Sequence, residues 1–142
     1  MSNFPYASAV GSLMYAMLCT RADICFTIGL VSCYQSKAAK RIIRYLRGTS
    51  DLVLCYEGGD LKLKGYSDTD CGGDPDESRS TSGYMFTVGG GATSWCSKKQ
   101  NCIALSTMEA KYVACSLATQ EAIWLRSFLQ VLNLTPRVDD PA

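Results

Sequence analysis

Histidine is absent from this sequence of 142 residues. Ser-His and Cys-His nucleophilic arrangements are therefore excluded within the chain, as are the imidazole ligands common at zinc sites. The eight cysteines, at 19, 25, 33, 55, 71, 96, 102 and 115, include no CxxC pair, so the usual zinc-ligand spacing is missing too. Met1-Ser2-Asn3-Phe4-Pro5 offers neither a basic start nor a following apolar core, so no secretory signal is read there. Residues 7–34 are apolar, but Arg21 and Asp23 interrupt them, which excludes an uninterrupted membrane span and a membrane partner with it. Internal repeats and low-complexity tracts are also lacking. The expected setting is intracellular, cytoplasm or nucleus, with the thiols buried and reduced; a disulfide framework is the alternative.

What is present suits a packed domain. Hydrophobic residues make up 47% of the chain and charged residues 19%, against a formal net charge of +1, so wholesale disorder is excluded and a core is within reach. Residues 1–58 carry six Lys/Arg against three Asp/Glu, whereas the remainder is mildly acidic. Residues 7–19 and 22–35 are apolar around most of a helical circumference, as buried helices are. Residues 37–47 are amphipathic: Ala39, Ile42, Ile43 and Leu46 share one face, while Lys37, Lys40, Arg41, Arg44 and Arg47 line the other, and Gly48 is expected to close the helix at C′. Strands are expected at Leu52–Tyr56, Leu61–Ser67, Gly83–Val88 and Ala92–Ser97, the last two joined by a turn at Gly89-Gly90-Gly91. A long helix follows from about Thr107 to Leu132, with Met108, Tyr112, Cys115, Ala122, Leu125, Leu129 and Leu132 recurring at threes and fours. Helices, then antiparallel-looking strands, then a covering helix predict a helical segment over 1–50 and an α/β (α+β) layered domain over 51–142.

Two carboxylates stand where chemistry is possible. Asp68 lies where a half-buried strand runs out, and Glu109 lies in the first turn of the long helix. Side chains at a strand end and on a helix over that sheet can converge on a hard cation such as Mg²⁺, which keeps several waters beside one or two carboxylates. Two-metal nucleases need more carboxylates than two. Each position also has a plainer reading. Ser106-x-x-Glu109 is a capping box, and Asp68 and Asp70 are ordinary turn residues. The basic face from Lys37 to Arg47 is either a solvated helix surface or a phosphate-binding strip. Lys98-Lys99 beside Trp95 is either an exposed hairpin exit or a contact for a phosphate and a base.

Four segments in fixed order, Gly65-Tyr66-Ser67-Asp68-Thr69-Asp70, Arg79-Ser80-Thr81-Ser82-Gly83-Tyr84, Trp95-Cys96-Ser97-Lys98-Lys99-Gln100 and Leu105-Ser106-Thr107-Met108-Glu109-Ala110, closely resemble the RNase H region of copia-type retrotransposon Pol polyproteins. Upstream, Ala9-Val10-Gly11-Ser12-Leu13-Met14-Tyr15, Cys19-Thr20-Arg21-Ala22-Asp23-Ile24 and Ile43-Arg44-Tyr45-Leu46-Arg47-Gly48-Thr49 resemble that family's segment joining reverse transcriptase to RNase H. The resemblance covers residues 5–140. It implies an RNase H-like fold, here an antiparallel three-stranded sheet with a long covering helix after a helical segment. It implies cleavage of the RNA strand of an RNA–DNA hybrid with Mg²⁺ or Mn²⁺ held by four acidic residues, of which Asp68 would be the first and Glu109 the second. Hybrid recognition would rest on phosphates and 2′-hydroxyls.

The sequence also departs from the family. The third carboxylate of the family pattern falls beyond Asp139-Asp140-Pro141, so an incomplete domain, inactive alone, is expected. About seven family residues, a Trp among them, have no counterpart between Ser36 and Lys37. Cys71 stands for a usual aromatic, Lys111 for a frequent Glu, Ala22 for a frequent proline and Cys96 for a frequent basic residue. The alternative is a non-catalytic module binding nucleic acid or protein, with self-association expected through an unpaired sheet edge.

Overall fold

The computed structural model describes residues 6–34, 36–58, 61–70 and 78–134, apart from the side chains of residues 30–37. The chain forms two compact units, Met1–Leu54 and Cys55–Ala142.

In the first unit, α1 (Tyr6–Cys19) is followed by a 3-10 turn (Ala22–Ile24) that runs into α2 (Cys25–Tyr34), and then by α3 (Ser36–Gly48). Leu13, Ile24, Ile28, Ala39 and Ile42 form the core, with Met17, Ala38 and Leu46 packed against it. Helix α3 turns Ala39 and Ile42 inward as its periodicity requires, but Ile43 sits at the rim, 36% exposed. Gly48 belongs to the helix and does not terminate it in a left-handed turn. The reason is a side-chain finish. The carbonyl of Leu46 accepts from the Thr49 amide, that of Tyr45 accepts from Thr49 Oγ1 at 2.9 Å, and the Thr49 carbonyl accepts from Arg21 Nη1 at 3.1 Å. The last carbonyls are thereby satisfied without glycine's special φ.

Arg21 organises more than that end. Its guanidinium grips Asp23 in a fork, Nε to Oδ1 at 3.0 Å and Nη2 to Oδ2 at 2.7 Å, and Tyr45 Oη donates to the same Oδ2 at 2.7 Å. Asp23 is held down to about 2, chiefly by the Arg21 hydrogen bond. The two charges that break the apolar run of residues 7–34 are thus a staple between the α1–α2 turn and the end of α3.

The second unit is a three-stranded antiparallel sheet in the order β1-β2-β3, with β1 at Lys64–Asp70, β2 at Thr81–Val88 and β3 at Gly91–Lys99. Helix α4 (Thr107–Val131) packs over β1 and β2. The β2–β3 turn has Gly89 at φ +57 and Gly90 at φ +82 between the paired Val88 and Gly91, the two-residue hairpin that needs φ > 0 at both central positions. The expected strand at Leu52–Tyr56 does not form. Residues 52–57 join no ladder; instead Tyr56 Oη donates to the Ala92 carbonyl at 2.8 Å and the Glu57 amide donates to the Gly89 carbonyl at 2.9 Å. The end of the run braces the hairpin turn, where glycine at 91 leaves room for the Tyr56 ring.

The buried stripe of α4 matches the expected one in its second half, at Leu125 and Leu129, and differs from it in the first. Ala110, Ala114, Leu125 and Leu129 face the sheet, while Met108 (74% exposed), Tyr112 (82%), Cys115 and Leu132 do not. Two alanines let the first half of the helix lie close on the strands, where a Met or Tyr would hold it away. Glu121 closes the second half by accepting from Ser94 Oγ at 2.6 Å. Nearby, burial first, then Cys96 and Glu121, push the Tyr84 hydroxyl up to about 12, and burial raises the Cys96 thiol. Six described cysteines are free of disulfides, but Cys19, Cys55, Cys102 and Cys115 are exposed, against the expectation of burial.

Candidate functional site

Strand β1 is an edge of the sheet, and its register with β2 decides where Asp68 stands. Ser82 and Phe86 on β2 are buried, and their partners on β1 are Thr69 and Gly65. Residues opposite one another share a face, so Gly65, Ser67 and Thr69 lie under α4, and Tyr66, Asp68 and Asp70 lie on the other face. Asp68 is exposed, with Oδ1 accepting from the Thr69 amide at 2.8 Å. Asp70 is tied to the sheet, its Oδ1 accepting from the Thr81 amide at 2.9 Å.

Glu109 is exposed in the first turn of α4. The Ser106 hydroxyl caps the helix by accepting from the Glu109 amide at 3.2 Å. In return, Glu109 Oε2 accepts from the amide of Leu105 at 2.8 Å, one residue further back than a capping box usually reaches. The capping reading therefore holds. It uses one carboxylate oxygen and leaves the other.

Sequence reasoning passed over the residue that joins these positions. Gln100, 3% exposed, follows β3 and donates through Nε2 to Ser82 Oγ at 2.7 Å and to the Ala110 carbonyl at 2.9 Å, with a longer contact to Thr69 Oγ1 at 3.5 Å. Thr69 is the neighbour of Asp68 and Ala110 is the neighbour of Glu109. The nitrogen carries two hydrogens, and its two short bonds tie Ser82 of β2, the register partner of Thr69, to Ala110 in the first turn of α4. The sequence reading expected the two carboxylates to converge; the register instead turns the Asp68 side chain to the sheet face away from α4, the helix that carries Glu109.

The donor set can be tested against the metal that the resemblance implies. Among the described residues, no three His, Cys, Asp or Glu side chains group to hold an ion. Two exposed carboxylates, each with one oxygen uncommitted but set on opposite faces of β1, do not make up a two-ion site.

The basic positions are distributed less simply. Lys40, Arg41, Arg44 and Arg47 are exposed on α3, opposite its buried residues. Lys37 lies in α3, but its side chain is outside the described residues. Lys98 pairs with Ser82 and Lys99 with Thr81, so these adjacent lysines project from opposite faces of β3. Lys99 shares its face with Trp95, which stands across from Met85 and Tyr66 in register.

Comparison with known proteins supplies the kinship. The chain is 52% identical over 141 residues to the retrovirus-related Pol polyprotein from transposon TNT 1-94 of Nicotiana tabacum, covering 94% of this chain and 11% of that polyprotein. It is 36% identical over 137 residues to the corresponding polyprotein from transposon RE2 of Arabidopsis thaliana, covering 91% and 9%. The chain belongs to the retrovirus-related Pol polyprotein family of copia-type retrotransposons. It spans about a tenth of the length of these Pol relatives. A protein named secreted RxLR effector protein 161, from Plasmopara viticola, is 48% identical over 133 residues and is matched over 94% of its length. No family model and no solved structure matches the chain. Among the described residues, no helix of this Pol segment is long and apolar enough to cross a membrane.

Proposed function

We propose that this Pol segment is an RNase H-like nucleic-acid-handling module whose carboxylates supply part of a cation site and which does not cleave hybrids by itself. The observation that carries the reading is the Gln100 tie of Ser82, register partner of Thr69 at the end of β1, to the first turn of α4, beside Asp68 and Glu109. Asp68 and Glu109 would each offer one uncommitted oxygen to Mg²⁺ or Mn²⁺, with the Thr69 and Leu105 amides orienting the carboxylates, but from opposite faces of β1 they would not close on one ion unaided. A cation bound there would neutralise charge on a substrate phosphate oxygen. Two carboxylates leave the attacking and leaving oxygens of a phosphodiester without the paired ions that in-line displacement uses, so cleavage should be absent. The test is a labelled RNA–DNA hybrid incubated with Mg²⁺ or Mn²⁺ at neutral pH. Product at the blank rate is expected; robust cleavage abolished by Asp68→Asn would overturn the proposed inactivity.

A second reading is supported by α3, whose four exposed cations stand on one side of a helix anchored through Ala39 and Ile42. In that reading the chain holds nucleic acid through phosphates, without sequence preference and without Asp68.

A further inference from the structure

The sheet face turned away from α4 carries an ordered row of charge along β1. Lys64, Tyr66, Asp68 and Asp70 alternate on that face and are exposed, and Lys62, also exposed, continues the alternation two residues before the strand. Basic residues occupy the first half of the row and acidic residues the second, with Tyr66, 57% exposed, at the middle. Across the ladder the row meets no charge: Lys64 stands opposite Thr87, Tyr66 opposite Met85 and Asp68 opposite Gly83. Among the described residues neither Lys64 nor Asp68 forms an ion pair, and no strand pairs with the outer edge of β1. An edge of that kind offers its outward N–H and C=O groups to another strand.

Charged residues on an edge usually discourage such pairing. Here their order has the opposite effect. A row that is basic at one end and acidic at the other is complementary to itself when it runs antiparallel. About a two-fold axis at Tyr66, Lys64 of each copy faces Asp68 of the other and the two tyrosines meet. Pairing carried two residues further sets Lys62 against Asp70, whose Oδ1 is already held by the Thr81 amide. A slip of two residues, the smallest that keeps every side chain on its face, loses the match. Centred on Ser67, the pair puts Tyr66 against Asp68; centred on Gly65, it puts Lys64 against Tyr66.

We propose that the outer edge of β1 docks a second copy of this chain, as a two-fold antiparallel strand pair centred on Tyr66 that joins the two sheets into one. The occupant is a second copy because the row is complementary to itself, and such a contact closes as a dimer. Helix α4 packs over β1 and β2, so the two helices lie on the same face of the joined sheet about 10 Å apart, a distance at which helices pack without collision. The inference draws neither on a bound cation nor on nucleic acid.

Sedimentation equilibrium of the full chain tests it. A monomer–dimer equilibrium is expected, weakening as salt rises from about 0.1 M to about 1 M and screens the charge pairs. Lys64→Glu alone and Asp68→Lys alone each set like charges face to face on both sides of the axis, and each should raise the dimer Kd about tenfold or more. Both positions are exposed, so both variants should fold, as circular dichroism would check. Mixing the two variants in equal amounts should restore association as a heterodimer, because every cross-strand pair is then opposite in sign. Misfolding of either variant could not produce that recovery. A chain that stays monomeric at every concentration up to about 1 mM overturns the proposal, and protected β1 amides in that monomer would assign the edge to another segment of the same chain. A dimer whose Kd neither variant moves, or variants that associate no better mixed than apart, overturns it too.

Discussion

Asp23 shows how much one side chain can organise. Folding takes its carboxyl from an ordinary 3.8 down to about 2, first through the Arg21 hydrogen bond and then through Tyr45. A folded value below the unfolded one means the contribution is complete above about pH 4 and is lost as the pH falls through 2. The side chain is 37% exposed, so solvent screening reduces the contribution to about 1 kcal/mol. Thermal melts of the first unit should fall between pH 4 and pH 2 in the wild type and show a smaller drop in Asp23→Asn. Ser106 and Glu109 form the other compact device. Removing the cap with Ser106→Ala should cost about 1 kcal/mol in chemical denaturation, and Glu109→Gln should cost less, because an amide oxygen still accepts from Leu105.

Among the elements, β1 depends on the absence of one side chain. A Cβ at Gly65 would stand inside the Phe86 ring, which is 4% exposed and cannot swing away. Gly65→Ala should therefore destabilise the second unit by about 1–3 kcal/mol, measured by urea unfolding, and adding Phe86→Leu should recover part of that loss. The element that failed to appear follows from the same crowding. Leu52–Tyr56 has a strand's composition, but Tyr56 lies against the hairpin turn at Gly91 and its hydroxyl is spent on the Ala92 carbonyl, and residues 52–57 pair with no strand. Helix α4 teaches the complementary lesson. Its periodic Met108 and Tyr112 look like core, yet the helix turns its alanines inward because close approach to β1 and β2 needs small residues there.

For the whole molecule, the charge on α3 makes a prediction independent of the carboxylates. Arg41→Ala with Arg44→Ala should weaken binding to an RNA–DNA hybrid and lower the slope of log K against log salt by about 2, at roughly 0.9 per phosphate contact. Filter binding between 50 and 200 mM salt, an interval of about the size over which such contacts are lost, measures it. Flat curves for wild type and variant alike would remove α3 from the interface. Melting of the second unit should be unchanged in that variant, since Arg41 and Arg44 belong to the first.

Sequence by itself determined the helices of the first unit, the glycine hairpin, the antiparallel order of the strands, the cap at Ser106 and the kinship with transposon Pol polyproteins. Each of these is written in residues close together in the chain, or in motifs long enough to be specific. Tertiary structure decided the rest: which stripe of α4 is buried, that Arg21 and Asp23 are a staple and not an interruption, that Lys98 and Lys99 leave opposite faces, and that Gln100 joins the neighbours of Asp68 and Glu109. Those outcomes depend on partners distant in the chain, 10 to 31 residues away for the bonds of Gln100 and Arg21, and a polar residue looks the same in sequence whether it meets water or a buried carbonyl.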